Sequence, residues 1–401
     1  MVACAFTGFA SGLPFFVLIQ LIQAWLRSEG VGLVEIGLFS LVQIPYTWKF
    51  LWSPFLERFP FPFLGRRRGW MFFTQVGLVL GFLSFAYFDP SLHIKSIFII
   101  ALMVGVFSAT QDIAIDAYRR ELLPTEAELA LGNSIHVQVY RIAGFVPGSL
   151  GLILADYLPW SSVYWVMAAF MFIGILTTLT IKEADLEPNI PRSLKAAIVE
   201  PFFEYLTRRG AKNVLLVMLF LFLYKFGDSM ATALSTSFYL DLGFSMTEIG
   251  LVAKNAGFWA ALVGGIVGGL IIVKIGINKG LWIFGFIQLI TILGFAYLAT
   301  QGYSLPLLAM VIAAEYLGVG LGTSAFVAFI ARETSPKLAA TQFALFTAIT
   351  ALPRTVTAAS TGWLVELLGW PTFFYLCTIF AIPGLLLLWW VAPYRSSEQE
   401  H

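Results

Sequence analysis

Residues 35–38 read Glu-Ile-Gly-Leu, and residues 248–251 read Glu-Ile-Gly-Leu again, 213 positions further on. Other matches keep the same step. Trp70 and Gln75 align with Trp282 and Gln288, Arg120-Glu-Leu-Leu-Pro124 with Arg332-Glu-Thr-Ser-Pro336, and Arg141 with Arg354, all at offsets of 212 or 213. A single match is chance. Four in chain order at one offset are a duplicated sequence, and such a repeat constrains the architecture before any motif is read.

Composition says what is duplicated. Hydrophobic residues make up 59 % of the 401, charged residues 12 %, and the mean hydropathy is +0.84. A soluble domain carries about 25 % charged residues, so most of this surface, with its 38 Phe and 12 Trp, must meet something apolar. The chain reads as a polytopic membrane protein. A net charge of +1 excludes nucleic acid as a partner, because phosphate binding needs a concentrated basic excess. Cys4 and Cys377 both lie in apolar runs and offer no disulfide framework. His93, His136 and His401 are scattered without zinc-ligand spacing.

A span needs about 20 mainly apolar residues. By that measure the chain holds six spans at 3–26, 33–52, 70–88, 97–118, 131–157 and 161–181, and six more at 214–240, 248–273, 281–300, 305–331, 339–368 and 372–392. The division is therefore an N-terminal six-helix bundle (1–182), a polar linker (183–213) and a C-terminal six-helix bundle (214–401). Within the linker, residues 194–209 alternate apolar and basic side chains, the pattern of an amphipathic helix lying on a membrane surface. Lys and Arg gather in the segments after even-numbered spans, among them Arg58, Arg66, Arg67, Arg68, Arg119, Arg120, Lys182, Arg192, Lys195, Lys337 and the tail residue Arg395, while the opposite loops hold Arg27 and Lys95. The positive-inside rule then places both termini and the linker in the cytoplasm. No basic segment precedes the first span, so a cleaved signal peptide is not expected; the abrupt start suggests a short missing N-terminal segment. Two parallel six-helix halves joined by a cytoplasmic linker describe an all-α membrane protein of the major facilitator architecture, in which the halves rock about a central site.

An ionisable group at the bilayer centre costs at least about 2.5 kcal/mol and is functional by default. The candidates are Asp112, Asp116, Arg141, Lys225, Asp228, Lys254, Glu315 and Arg354. Asp112 and Asp116 are four apart and share a helix face. Two carboxylates side by side in low dielectric resist being charged together, which is what a proton-coupled carrier needs. Against that stands a structural role for Asp116, an i,i+4 pair with Arg120 or a lock with Arg67. Lys225 and Asp228, three apart, are expected to neutralise each other. Arg141, Lys254 and Arg354 have no acid within a turn, Glu315 is expected to partner one of them, and the basic surplus favours an anionic substrate. Gln20, Gln23, Tyr140, Tyr224 and Trp259 are candidate sugar contacts, with packing as the alternative. Ser11-Gly12-Leu13-Pro14 is expected to unwind or kink the first span, and Gly264/Gly268 and Gly265/Gly269 read as steps for close helix packing. Gly318-x-Gly320-x-Gly322 lies inside an apolar helix and is no nucleotide loop.

Seven segments together resemble the AmpG muropeptide permeases of the major facilitator superfamily: GFASGLPF from Gly8, KFLWSPFLERF from Lys49, GRRRGW from Gly65, ATQDIAIDAYRRELLP from Ala109, YKFGDS from Tyr224, GTSAFVAF from Gly322 and TQFAL from Thr341. The resemblance implies proton-driven import of N-acetylglucosaminyl-1,6-anhydro-N-acetylmuramic acid and its peptides across the bacterial inner membrane, feeding wall recycling and, where an inducible enzyme exists, β-lactamase induction. It matches the family's paired aspartates to Asp112 and Asp116. The expected site is then Asp112 and Asp116 for proton coupling, Gln20, Gln111, Tyr140, Arg141, Tyr224, Lys225, Asp228, Lys254, Glu315 and Arg354 for substrate, and Arg66, Arg67, Arg68 and Arg120 for a cytoplasmic gate. No cofactor beyond the proton gradient is expected, and the carrier is read as a monomer. The alternative reading is a facilitator for another anionic metabolite such as acetyl-CoA. An enzyme acting on lipid-linked sugars fits less well, since no acid-rich Asp-x-Asp cluster lies at a membrane face.

Overall fold

The computed structural model describes residues 1–59, 61, 63–123, 125–183, 194–335 and 339–394, and the described residues contain helices and no strand. Nine helices among them are long and apolar enough to cross a bilayer: Val2–Ser28, Pro90–Leu122, Leu131–Tyr157, Trp160–Thr180, Ala211–Asp241, Met246–Ile275, Ile277–Gln301, Leu305–Glu333 and Trp370–Val391. They are the first, fourth to tenth and twelfth spans. The second is a run of short helical pieces over 33–51, the third is Arg66–Phe85 and the eleventh is Ala339–Leu368. Hydrocarbon accepts only backbones whose polar groups are paired internally, which is why apolar stretches of this length fold as helices. Their outer faces carry large exposed apolar residues such as Leu80, Trp165, Val273 and Trp389. Arg192, Lys337 and Arg395 lie outside the described residues, as do the side chains of Arg58, Lys195 and Arg354.

The first span does not unwind at Pro14. The helix runs through to Phe16 and then widens into a π turn at Val17–Leu21 before resuming at Ile22. Pro14 has no N–H to give, and its ring crowds the carbonyl one turn back, so the helix absorbs the mismatch by widening. Pro147 sits in the same device, the π turn Val146–Gly151 of the fifth span. The first span packs on the fifth so closely that a methyl at Gly8 or Gly12 would overlap the backbone of His136 or Tyr140. The eighth and tenth spans repeat this contact: Gly264 and Gly268 lie on Leu317 and Leu321. Gly265 and Gly269, expected as a second packing step, instead face open space.

By contact density the chain forms two compact units, and they are not quite the two sequence halves. One comprises Met1–Gly32, Phe39–Ile190 and Ser245–Leu251; the other comprises Leu33–Leu38, Pro191–Phe244 and Val252–His401. Each unit thus incorporates a short helical segment that belongs in sequence to the other repeat, and each borrowed segment is tied by a carboxylate at its N-terminal end. In the first unit Asp156 accepts the Thr247 N–H at 2.6 Å. In the second, Glu366 accepts the N–H groups of Leu33 and Val34 at 3.1 and 3.4 Å. A helix start has unpaired N–H groups and a partial positive charge, so an acid there is attracted and fills the donors at once. Asp156 and Glu366 each precede by four residues a tryptophan whose indole N–H is bound: Trp160 donates to Ser28 and Trp370 to Asp241. The repeat is therefore preserved in its hydrogen bonds.

The linker helix is Leu194–Arg209, with the bounds expected. Its C-terminal turns dock on the second unit. Tyr205 is buried against Phe346 at 4.9 Å and its hydroxyl donates to Glu333 at 2.9 Å. Arg209 reaches the other Glu333 oxygen at 2.9 Å, and Arg208 donates to the Glu333 backbone carbonyl at 2.7 Å. Burial first, and then the Glu333 carboxylate, push the Tyr205 hydroxyl above its ordinary range, so it remains a donor at any physiological pH.

The two carboxylate ties make a simple prediction. Asp156→Asn and Glu366→Gln should each lower stability by about 0.3–1 kcal/mol, the value of a charge at a helix end. As the ties share no partner, the double variant should lose the sum. Thermal unfolding of the detergent-solubilised protein measures this; strong non-additivity would show that the ties are coupled.

Candidate functional site

Asp112 and Asp116 occupy one face of the fourth span, as their spacing requires, and they differ in environment. Asp112 is buried, whereas 51 % of the Asp116 side chain is exposed. The Ser11 hydroxyl, from the turn before Pro14, donates to Asp112 Oδ1 at 2.6 Å. On the other side Lys49, at the end of the second span, places Nζ 3.7 Å from Asp112 Oδ2 and 3.8 Å from Asp116 Oδ2. Both distances are ion-pair contacts outside hydrogen-bond range, so the ammonium sits almost evenly between two carboxylates and is committed to neither. Arg119 closes the chain: it donates to Asp116 Oδ1 at 2.8 Å and to Asn133 Oδ1 at 2.6 Å. Two acids alternate with two cations in a row, and Asp116 is the most exposed of the four.

Part of this was expected and part was not. The carboxylate pair follows from spacing alone. Lys49, Ser11, Arg119 and Asn133 do not, because their partners are supplied by other spans. Lys49 left one signal, a lysine inside an otherwise apolar and aromatic stretch. The expected i,i+4 pair of Asp116 with Arg120 is corrected: the partner is Arg119, three residues on, while Arg120 is exposed and takes no part in this cluster. Nor does Arg67 lock onto Asp116. Arg66 and Arg67 both bind Glu121, Arg67 through Nε at 3.0 Å and Nη2 at 2.7 Å. Glu183 accepts the backbone N–H groups of Arg67 and Arg68 at 2.7 and 3.1 Å. Arg68 donates to the last carbonyls of the sixth span, Thr178 and Leu179, both at 2.9 Å. The three arginines therefore staple the third, fourth and sixth spans within one unit.

The expected substrate residues divide between the units. In the first, Gln111 is fully buried and its amide donates to the Ala10 carbonyl at 2.7 Å, which gives it a packing task. Tyr140 packs against Phe15 and Phe16, Gln20 is half-buried and Arg141 is exposed. In the second, Tyr224 is also structural: its hydroxyl donates to the Leu281 carbonyl at 2.9 Å and its ring stacks on Phe326. Lys225 and Asp228 form the expected ion pair at 3.7 Å. Glu315 faces Lys225 and Asp228 from another span. Lys254 is half-buried, Trp259 is exposed, and the Arg354 side chain is not among those described. No group of three or more metal-ligating His, Cys, Asp or Glu side chains occurs among the described residues.

Comparison with known proteins gives this geometry a context. The Major Facilitator Superfamily profile matches residues 3–358. An uncharacterized protein of Haemophilus influenzae is 46 % identical, covering all of this chain and 96 % of its own length. The anhydromuropeptide permease of Escherichia coli is 38 % identical over 95 % of this chain and 77 % of that protein, and the putative transporter AmpG 4 of Rickettsia felis is 30 % identical over 95 % and 94 %. Solved structures of the nucleoside transporter NupG (TM-score 0.74, covering 98 % of both chains) and of a D-xylose-proton symporter (TM-score 0.72, covering 98 % and 97 %) share the fold at 12 % identity.

The contrast among the arginines is testable. Arg67→Ala removes two hydrogen bonds to a mostly buried carboxylate and should cost about 1.5–3 kcal/mol, read as a lower unfolding midpoint. Arg120→Ala should leave that midpoint within about 0.5 kcal/mol of wild type.

Proposed function

The chain belongs to the major facilitator superfamily, among the AmpG anhydromuropeptide permeases, and from that membership we propose that it imports anhydromuropeptides into the cytoplasm in symport with protons. It is a multi-pass membrane transporter, not an enzyme. The permease relative supplies the substrate class, anhydromuropeptides, and within it the substrate of this proposal is GlcNAc-1,6-anhydro-MurNAc with or without its peptide. The charge asymmetry of the loops supports termini and linker on the cytoplasmic side of the inner membrane.

The observation that carries the coupling is the row Ser11, Asp112, Lys49, Asp116. An ammonium held evenly between two carboxylates is a switch. When Asp112 takes a proton, the attraction on its side of Lys49 vanishes, and the ammonium swings to Asp116. When Asp112 loses the proton, Lys49 returns. Asp116, open to water, is the entry or exit for the proton, and Ser11 orients the buried acid from the first span. Ser11, Lys49 and the two acids lie on three different spans; since both acids belong to the fourth, the proton's arrival moves the Lys49 contact one turn along that helix while Ser11 stays at Asp112. Substrate carboxylates favour a cationic surface, and Arg141, Lys254 and Arg354 are the groups that would supply it. Each pH unit of gradient contributes about 1.4 kcal/mol per proton, and 100 mV about 2.3 more.

Uptake of labelled anhydro-disaccharide into proteoliposomes, with and without an inward proton gradient, tests this. Asp112→Asn should abolish gradient-driven accumulation while leaving binding and counterflow. Lys49→Gln should reduce accumulation at least tenfold, and Ser11→Ala by a smaller factor. Accumulation that survives Asp112→Asn would remove Asp112 from coupling. Acetyl-CoA uptake in place of the disaccharide would overturn the substrate reading.

A further inference from the structure

The second unit contains its own sealed group of charges. The seventh span is interrupted at Lys225, where φ is −102° and ψ is 6°, and again at Leu234, where they are −114° and 29°. No proline lies between Ala211 and Asp241 to force either break. The eight-residue helix between the breaks carries Asp228, whose Oδ2 meets Lys225 Nζ at 3.7 Å. Broken membrane helices are where transporters place ion sites, since freed backbone and short helix ends can meet charge.

Facing this pair from the tenth span is Glu315, 0 % exposed, with neither carboxylate oxygen hydrogen-bonded. Asp228 Oδ1 and Lys225 Nζ are likewise without a hydrogen-bond partner. Among the described residues, the groups around Glu315 are few. The seventh span contributes Lys225, Asp228 and the Tyr239 hydroxyl, the ninth contributes Thr291, and the twelfth contributes the Cys377 thiol. Against the eighth span the tenth packs through glycines, Gly264 and Gly268. A cavity the size of about one water lies beside Asp228, lined also by Tyr224, Gly285, Gln288 and Leu289. Among the described side chains, one ammonium thus confronts two carboxylates with no bulk water to solvate the excess charge. A buried carboxylate whose neighbouring cation is already paired with another acid is not a sustainable arrangement, whereas a neutral acid beside an ion pair is.

We propose that Glu315 carries a proton while Lys225 pairs with Asp228, forming a second proton-binding site in the C-terminal unit, independent of Asp112. The coupling role assigned to it rests on the symport reading above. In the carrier's cycle the proton leaves Glu315 as Lys225 turns from Asp228 towards it, so that one acid is neutralised by the ammonium and the proton passes to the other or to water. Two protons, one per unit, then accompany each substrate.

Infrared spectroscopy of the purified protein in lipid tests the site without any substrate. At neutral pH the wild type should show the carbonyl stretch of a protonated carboxylic acid, absent in Glu315→Gln and retained in Asp112→Asn. Lys225→Met, which leaves two acids and no cation, should roughly double the band as both become neutral. A spectrum unchanged by Glu315→Gln overturns the site, and so does a band lost on adding sodium chloride, which would make it a metal-cation site. The coupling role is tested separately, from the proton-to-disaccharide ratio at flux reversal in proteoliposomes: two for wild type and one for Glu315→Gln. An unchanged ratio with the band present would overturn coupling at Glu315. Absence of disaccharide flux in wild type would overturn the muropeptide reading, leaving the infrared result standing.

Discussion

A charge in hydrocarbon has nowhere to go, and the structure is organised around that constraint. Several acids are met by groups from other helices, and Asp228 by Lys225 of its own span. Asp112 is held by Ser11 and Lys49; Glu121 is gripped by two arginines, and Glu333 by Arg209 and Tyr205. Because those partners come from different helices, neutralising a charge also fixes which helices touch. Electrostatics here specifies packing, a task that apolar side chains perform poorly when the surrounding solvent is as apolar as they are.

The same constraint explains what was legible in the sequence. Twelve spans and the linker helix could be drawn because a bilayer imposes a length and an apolar composition on every crossing segment. The repeat could be drawn because pairs such as Glu35 and Glu248, or Trp70 and Trp282, recur at one offset; the structure adds Trp160 and Trp370, whose indoles bond to Ser28 and Asp241 at corresponding places in the two copies. Asp112 and Asp116 could be paired because one helix fixes their spacing. Lys49 could not be joined to them, since 63 positions separate it from Asp112 and no periodicity reports a contact between helices. Arg119 and Arg120 were indistinguishable as partners of Asp116, since spacings of three and four are both allowed on a helix. Gly265 and Gly269 show the opposite failure: the spacing was right, but only the fold decides which of two adjacent glycine pairs faces a neighbour.

Tyr224 and Gln111 illustrate a further limit. Both looked like ligand contacts because polar groups in apolar helices draw attention. Both spend their hydrogen bonds on backbone carbonyls, at Leu281 and Ala10, where a membrane protein has no water to offer instead. A polar side chain in a span is a strong indicator of an unmet need nearby, and the need is as often the protein's own as a substrate's.

The tie between Glu366 and the start of the second span joins residues 333 positions apart. The donors on Leu33 and Val34 leave the ribosome well before the acid that caps them, which is made some 333 residues later. At about 5–20 residues per second, they wait roughly 20–70 s for it. The second unit therefore cannot be completed in order of synthesis, and the helix that starts at Leu33 must stay available in the membrane until the span carrying Glu366 has been inserted.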